Sequence, residues 1–232
     1  MEYNQGGFFR FSYYVYQLLI LNLLFVLTNI LLFAALIILI PSISNALLYY
    51  IAFIPTGPSL AALFHSLSSV MKENGHSFVK DFLSAYKNNF VDVLKVWVPI
   101  ITVFFILLID IQYFNQNPTL INQVLNGIFI VLLLLLVLLS IYSLMITTHY
   151  TFRLRDTYRL SIFYMLTWIK RSTGNIAILF LTVVFMFFTS DFIILFISSL
   201  VAWFLVLNTL PVIHDVGTSF VKTEKEGQTQ TI

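Results

Sequence analysis

The feature that most constrains the fold of this chain is a series of long apolar segments with few or no charged residues. A helix needs about 20 consecutive apolar residues to cross the hydrocarbon core of a bilayer. Six segments reach or approach that length, and they occupy residues 16–40, 43–67, 93–113, 124–147, 175–189 and 192–213. The sequence therefore predicts an all-α, polytopic membrane bundle with about six transmembrane helices.

Composition supports a membrane environment and excludes thiol chemistry. Hydrophobic residues make up 59% of the chain and charged residues only 9%, whereas about 25% is usual for a soluble domain. Cysteine is absent, so disulfides, thiolate metal sites and cysteine nucleophiles are excluded. We expect a single transmembrane domain over residues 1–215, followed by a polar, disordered cytoplasmic tail over residues 216–232.

The distribution of Lys and Arg predicts the orientation. With six spans, one side of the membrane holds all 12 basic residues of the chain. They are Arg10, Lys72, Lys80, Lys87, Lys95, Arg153, Arg155, Arg159, Lys170, Arg171, Lys222 and Lys225. The opposite side holds Asp110 and Asp191. Because cytoplasmic loops carry the excess of basic residues, we expect a multi-pass plasma-membrane protein with both termini in the cytoplasm.

The second span is interrupted by Pro55, Thr56, Gly57 and Pro58, with Ser59 following. Pro55 removes a helical hydrogen bond, and Pro58 suits the first turn of a new helix. Counting back from Lys72 puts the break roughly 20 Å from the cytoplasmic boundary, in the central or outer bilayer. Two interpretations are open: a structural kink packed by small residues, or a break that faces a ligand, as in transporters.

Two cytoplasmic segments, residues 77–90 and 156–171, have the pattern of amphipathic helices at the membrane surface. Gly174 is placed to end the second helix. Their aromatic stripes either anchor the bundle in anionic lipid or dock a partner. The candidate docking residues are Phe82, Tyr86, Lys87, Asn89 and Phe90.

Two asparagines lie in the first span. Asn22 and Asn29 are seven residues apart and so share a helix face. We expect hydrogen bonds from this face to a neighbouring helix. The fifth segment is short for a span, and it either borrows a turn from the preceding residues or forms a tilted hairpin with the sixth.

No pattern of catalytic or metal-binding residues stands out. His65, His76, His149 and His214 all fall on the predicted cytoplasmic half, where two or three of them could converge with Asp215 to bind a metal. No two of them have the i, i+4 spacing of a zinc-protease helix, which favours ordinary interfacial histidines. The chain has no phosphate-binding loop, dinucleotide-binding glycine pattern or nucleophile elbow. We therefore expect no enzymatic activity, no cofactor and no metal site. The basic residues follow membrane edges, which favours lipid headgroups over nucleic acid.

Several stretches resemble the YesL family of multispanning membrane proteins, found mainly in Gram-positive bacteria. They are GFFRF at 7–11, NLLF at 22–25, TGPSLAAL at 56–63, and the segment 81–97 from Asp81-Phe82 to Trp97. The third is similar to that family's Gly-Pro-Ala-Thr-Ala-Ala-Leu signature. This chain departs from the family in its longer apolar stretch between Asn29 and Pro55.

The resemblance implies a role in sugar uptake but no defined chemistry. The family has no established activity, and its members are often encoded beside carbohydrate importers and polysaccharide-degrading enzymes. We therefore expect a non-enzymatic accessory or regulatory partner of a carbohydrate uptake system. The alternative is a transporter or channel component whose substrate path is lined by the second-span break. The expected partners are the lipid bilayer, a membrane importer or its subunits, and other copies of the chain in a homo-oligomer.

The predicted topology has a direct test. Reporter domains fused after Tyr113 and after Ser190 should both give an extracytoplasmic signal, because each position follows an odd number of spans. A cytoplasmic signal at either position would overturn the six-span arrangement.

Overall fold

The computed structural model describes residues 7–70, 78–116, 119–189 and 194–221, and within these ranges the secondary structure is helical, without strands. The elements are α1 Gly7–Thr28, α2 Ile30–Ile38, a 3₁₀ turn Ile43–Asn45, α3 Ala46–Phe53, α4 Thr56–Val70, α5 Phe78–Asn88, α6 Phe90–Asn115, α7 Leu120–His149, α8 Leu154–Thr167, α9 Ile169–Phe188, α10 Ile194–Val216 and a π-helical turn Gly217–Val221. Several positions singled out by sequence lie outside the described residues: Lys72, His76, Ser77, Ser190, Asp191 and residues 222–232.

Four of these helices are long and apolar enough to cross a membrane: α6, α7, α9 and the segment Ile197–Phe220 that contains most of α10. Two further candidates are bent pairs. Ser12–Thr28 meets Ile30–Ile38 at 70°, and Ile43–Phe53 meets Thr56–Ser69 at 42°. Counting each pair as one span gives six. The predicted all-α membrane bundle is thus confirmed, with four to six candidate transmembrane helices and a break in the second span.

The 70° bend at Asn29 was not predicted, and its cause is local. The Thr28 hydroxyl donates to the carbonyls of Leu24 and Phe25 at 2.9 and 3.0 Å, and the Asn29 side-chain amide donates to Phe25 at 2.8 Å. The Asn29 backbone N–H is shared between Phe25 and Val26. Side-chain donors that compete for helix carbonyls bend helices. We expected Asn29 to form a hydrogen bond with a neighbouring helix. This is wrong for its side-chain amide nitrogen, which donates to the preceding turn of its own segment.

The boundary between α8 and α9 also differs from the sequence prediction. Gly174 lies inside α9, so the prediction that it ends the cytoplasmic helix is wrong. The chain turns at Trp168 instead, where φ is −97° and ψ is 53°. The fifth span thereby begins at Ile169 and gains the length that the segment 175–189 lacks. Gly174 instead allows close packing, since the Asn208 side chain lies against its backbone.

The long helices pack tightly at one end of the bundle only. We call this the basic end; its described Lys and Arg side chains are Lys80, Lys87, Lys95, Arg153, Arg155, Arg159, Lys170 and Arg171. Buried residues of α7 run from Leu138 to Thr148, those of α9 are Ser172 and Asn175, and those of α6 concentrate between Val93 and Ile101. The other halves expose apolar side chains, as lipid-facing surfaces do.

Helix α4 is the centre of the packed end. It contacts α1, α3, α5, α6, α7 and α10. Within residues 56–69, all positions except Leu60, His65 and Ser69 are buried. The small side chains Ala61, Ala62 and Ser66 let the surrounding helices approach closely, as small residues do in membrane bundles.

Polar contacts join the outer helices. The Asn22 side-chain oxygen accepts a hydrogen bond from the backbone N–H of Ser199 in α10 at 3.1 Å, which confirms the predicted interhelical role of this residue. In α9, the Asn175 oxygen accepts from the Asn208 amide at 2.8 Å, and the Asn175 amide donates to the Thr209 hydroxyl at 3.1 Å. Asn175 and Thr209 are fully buried, so these bonds connect α9 to α10 out of contact with solvent.

The Asn175 contacts should contribute measurably to stability. Asn175→Ala leaves the buried Thr209 hydroxyl and the Asn208 amide short of a partner, and we expect the free energy of unfolding to fall by about 1–2 kcal/mol. Thr182→Val is the matched control, because the Thr182 hydroxyl bonds to Ile178 of its own helix. Unfolding of both variants in detergent would be followed by circular dichroism. Equal stability of the two would contradict a role for Asn175 in joining the helices.

Candidate functional site at the helix break

The break between α3 and α4 is closed by hydrogen bonds within the chain. Helix α3 ends at Phe53, and Pro55 has no N–H to continue it. The Phe53 carbonyl accepts a hydrogen bond from the Trp97 indole N–H at 3.0 Å. The Pro55 carbonyl accepts from both the N–H and the hydroxyl of Ser59, at 3.2 and 2.9 Å. The Phe53 and Pro55 carbonyls thus have protein partners.

Gly57 is required here by space. A Cβ atom built on Gly57 would lie 2.2 Å from Cγ of Trp97 and 2.7 Å from its Cβ, well inside any real contact distance. Trp97 is only 7% exposed, so its ring has little room to move away. The indole ring therefore covers the backbone of the break, and only glycine permits that approach.

The contact with Trp97 also sets the level of the break in the bundle. Trp97 follows Lys95 by two residues, and the Lys95 side chain is exposed and paired with Asp92 at 2.8 Å. Two residues of helix rise about 3 Å. The break therefore lies near the basic end of α6, which does not fit the predicted central or outer depth.

The candidate ligand-facing residues are enclosed by protein. Thr56, Gly57, Pro58 and Ser59 are buried, and Pro55 is partly buried. None of the four described pockets is lined by them. The Thr56 hydroxyl is buried and has no hydrogen-bond partner among the described residues. As it stands, the break is a packed structural kink.

The candidate docking residues fall on different faces of the α5 region. Phe82 is fully buried, Tyr86, Asn89 and Phe90 are half-buried, and Lys87 is exposed. Burial raises the pKa of the Tyr86 phenol, and a hydrogen bond with the Ser59 side chain partly offsets this. Since Tyr86 is late in α5 and Ser59 is early in α4, the two helices run antiparallel. At Tyr86, the aromatic stripe of α5 (Phe78, Phe82 and Tyr86, with Phe90 at the start of α6) thus faces α4.

The histidines come together only in part. The rings of His65 and His149 lie 5.7 Å apart between centroids. His149 is held by Ser68 at 2.9 Å through Nε2 and by the Met145 carbonyl at 2.9 Å through Nδ1. His214 is exposed. Within the described residues, no three His, Asp or Glu side chains are grouped so as to hold a metal ion.

Asp215 accepts a hydrogen bond from a side chain of α8. The hydroxyl of the buried Tyr164 donates to the Asp215 carboxylate at 2.7 Å. Burial, together with this hydrogen bond, raises the pKa of Tyr164. The nearby Tyr150 hydroxyl donates to the Ile213 carbonyl at 3.0 Å and lies against Gly217. Two tyrosines therefore fix the end of α10 and the π-helical turn, where the predicted tail begins.

Sequence reasoning missed two residues that organise this region. Trp97 entered only through the family resemblance, although its indole N–H is a donor that needs a partner when the side chain is buried. Tyr49 in α3 was not singled out, and its hydroxyl donates to the Leu39 carbonyl at 2.7 Å. In both cases the acceptor is a backbone carbonyl distant in sequence, which residue patterns do not reveal.

The fold and the closed break define a polytopic helical membrane protein built around a buried central helix. The family described as "Protein of unknown function, DUF624" matches residues 18–111. This region contains the second half of α1, the break, α4, α5 and Trp97. No curated protein and no solved structure matches the chain.

The Gly57–Trp97 contact predicts an unusual sign for a glycine substitution. Alanine normally stabilises a helix relative to glycine by up to about 1 kcal/mol. Gly57→Ala should instead lower the free energy of unfolding by about 1–3 kcal/mol, because the new methyl group overlaps a confined ring. Thermal or denaturant unfolding in detergent measures the change.

Gly127→Ala is the matched control for this experiment. Gly127 lies inside α7, and a Cβ there meets nothing within 4 Å. We expect unchanged or slightly increased stability. If Gly57→Ala behaves like Gly127→Ala, the indole ring does not confine the break.

Proposed function

We propose that this protein is a non-enzymatic accessory or regulatory protein of the plasma membrane that binds a carbohydrate uptake system. The link to sugar uptake rests on the resemblance to the YesL family. Three stretches that carry this resemblance, residues 22–25, 56–63 and 81–97, lie within the region matched by the family of unknown function. Both termini and the basic end face the cytoplasm in this proposal, in accordance with the positive-inside rule.

The observation that carries the proposal is the closed packing of the break. A transporter places unwound backbone against a substrate or a water-filled path. Here the Phe53 and Pro55 carbonyls bond to Trp97 and Ser59, and the indole covers Gly57. These contacts favour an accessory protein over the transporter or channel alternative.

A partner on the cytoplasmic side would meet the outer face of α5. Because Phe82 is buried against the bundle, the accessible residues of this helix include Lys80, Leu83 and Lys87, with Leu83 51% exposed. An apolar side chain between two lysines suits a partner surface with an apolar pocket and acidic rim. We therefore propose that the partner binds this lysine face and not the aromatic stripe. Of the docking residues predicted from the sequence, Lys87 belongs to this face.

A pull-down from native membranes in mild detergent, analysed by mass spectrometry, tests this function. We expect the wild-type protein to recover permease or ATPase subunits of a sugar importer. The double variant Lys80→Glu, Lys87→Glu should lose them while remaining in the membrane, since reversing exposed charges leaves the core unchanged. Lys170→Glu, an exposed lysine at the start of α9, is the matched control and should retain the partner.

Two results would contradict the proposal. One is a self-associated protein without importer subunits. The other is solute flux through proteoliposomes containing this protein alone, which would favour the transporter alternative.

A further inference from the structure

An apolar groove of about 520 Å³ lies between the α2–α3 hairpin and α6. Leu36, Ala46 and Phe53 line one side, and Phe105 and Leu108 line the other. Among the residues that the structure describes, no charged side chain lines it. The groove lies in the half of the bundle away from the basic end, where the long helices expose apolar side chains.

The groove results from the way the α2–α3 hairpin is held beside α6. The 70° bend at Asn29 directs α2 away from α1, and α3 returns beside it. The Tyr49 hydroxyl, buried with Ala35 and Ala52 in a small separate core, ties α3 to the Leu39 carbonyl at 2.7 Å. The Tyr50 hydroxyl lies 3.0 Å from the Thr102 hydroxyl and joins α3 to α6. These contacts hold the hairpin beside α6 and leave the space between them.

We propose that this groove binds one acyl chain of a membrane amphiphile. Water is a poor occupant, because a stable buried water needs two to four polar partners. An empty groove is also unfavourable, because its walls lose dispersion contacts. The neighbouring surface is apolar and exposed, with Leu36 50% and Leu47 68% accessible, so lipid chains have direct access.

The size of the groove distinguishes a lipid chain from a partner helix. A helix about 10 Å wide and 30 Å long, enough to cross the hydrocarbon core, occupies roughly 2,400 Å³. The groove offers less than a quarter of that volume. It falls instead within the 300–1,000 Å³ range that is usual for small-molecule sites.

The polar lining residues fix the direction of the bound chain. Ser42 and Gln112 line the groove, and both belong to the end remote from Lys95. Gln112 follows Asp110 near the end of α6. We therefore place the headgroup of the amphiphile beside Ser42 and Gln112, in the leaflet opposite the basic end. This site is separate from the lysine face of α5. An experiment on lipid binding can therefore succeed or fail independently of the proposed function.

Photo-crosslinking in vesicles tests the site. The full-length protein would be reconstituted in equal parts phosphatidylethanolamine and phosphatidylglycerol, with a trace of phospholipid carrying a diazirine near one chain end. We expect labelled α6 peptides that contain Phe104–Phe105, and one retained phospholipid per protein by native mass spectrometry after extraction into detergent.

Filling the groove should remove both signals. Ala46→Phe places a ring in the groove and should lower labelling of the Phe104–Phe105 peptide at least about fivefold, since a filled groove excludes the chain. Gly127→Phe adds the same bulk where a Cβ meets nothing within 4 Å, and should leave labelling unchanged. Leu108→Trp fills the groove from the α6 side and should lower labelling in the same way. It replaces Ala46→Phe in the test if that variant does not fold.

Three outcomes would overturn the proposal. The first is labelling of the α6 peptide that is unaffected by either filling variant. The second is wild-type labelling no greater than that of the exposed surface of α7 around Val131. The third is the absence of any retained phospholipid in the wild-type protein. This result needs no comparison with a variant.

Discussion

The contact between the Trp97 indole and the backbone of Gly57 organises the bundle. The indole N–H donates to the Phe53 carbonyl at the end of α3, and the ring fixes α6 against the start of α4. Helix α4 is then enclosed by six other helices, which bury nearly all of it. A break in a membrane helix must be buried in protein or face water, and this chain buries it.

Burial around α4 leaves the protein asymmetric. At the basic end, side chains of α6, α7, α9 and α10 form a continuous packed core with α4 and α5. Towards the other end the helices diverge and expose Leu, Ile and Phe. Lipid serves as solvent for that half, so its surface needs no polar cover. The α2–α3 hairpin has its own small core around Tyr49, and the groove beside it follows from this divergence.

The two regions suit different roles. The packed end carries the described Lys and Arg residues and presents the lysine face of α5, to which we propose that a partner binds. The divergent end presents apolar surface and a groove of the volume of a small-molecule site. A regulatory membrane protein with a partner on one side and a lipid on the other is physically consistent with this division. At the break, the described residues pack against Trp97 and Ser59.

Residue patterns predicted a helical membrane bundle, the break at Pro55 and the amphipathic character of α5, because hydrophobic length and proline chemistry are local properties. The structure has four to six candidate spans, against about six predicted. The residue patterns failed at Asn29 and Gly174. At Asn29, side-chain donors competed with the helix for its carbonyls. At Gly174, the sequence predicted the end of a helix, but the residue lies inside α9, where the Asn208 side chain packs against its backbone.

By itself, the sequence determined that this chain belongs in a membrane, that it is helical and where its charges cluster. Only the tertiary structure decided that the break is closed and that the aromatic stripe of α5 faces α4. Nearly every helix face is apolar, so periodicity could not distinguish surfaces that meet protein from surfaces that meet lipid. That choice depends on contacts such as Trp97 with Gly57 and Tyr86 with Ser59, between residues far apart in the chain.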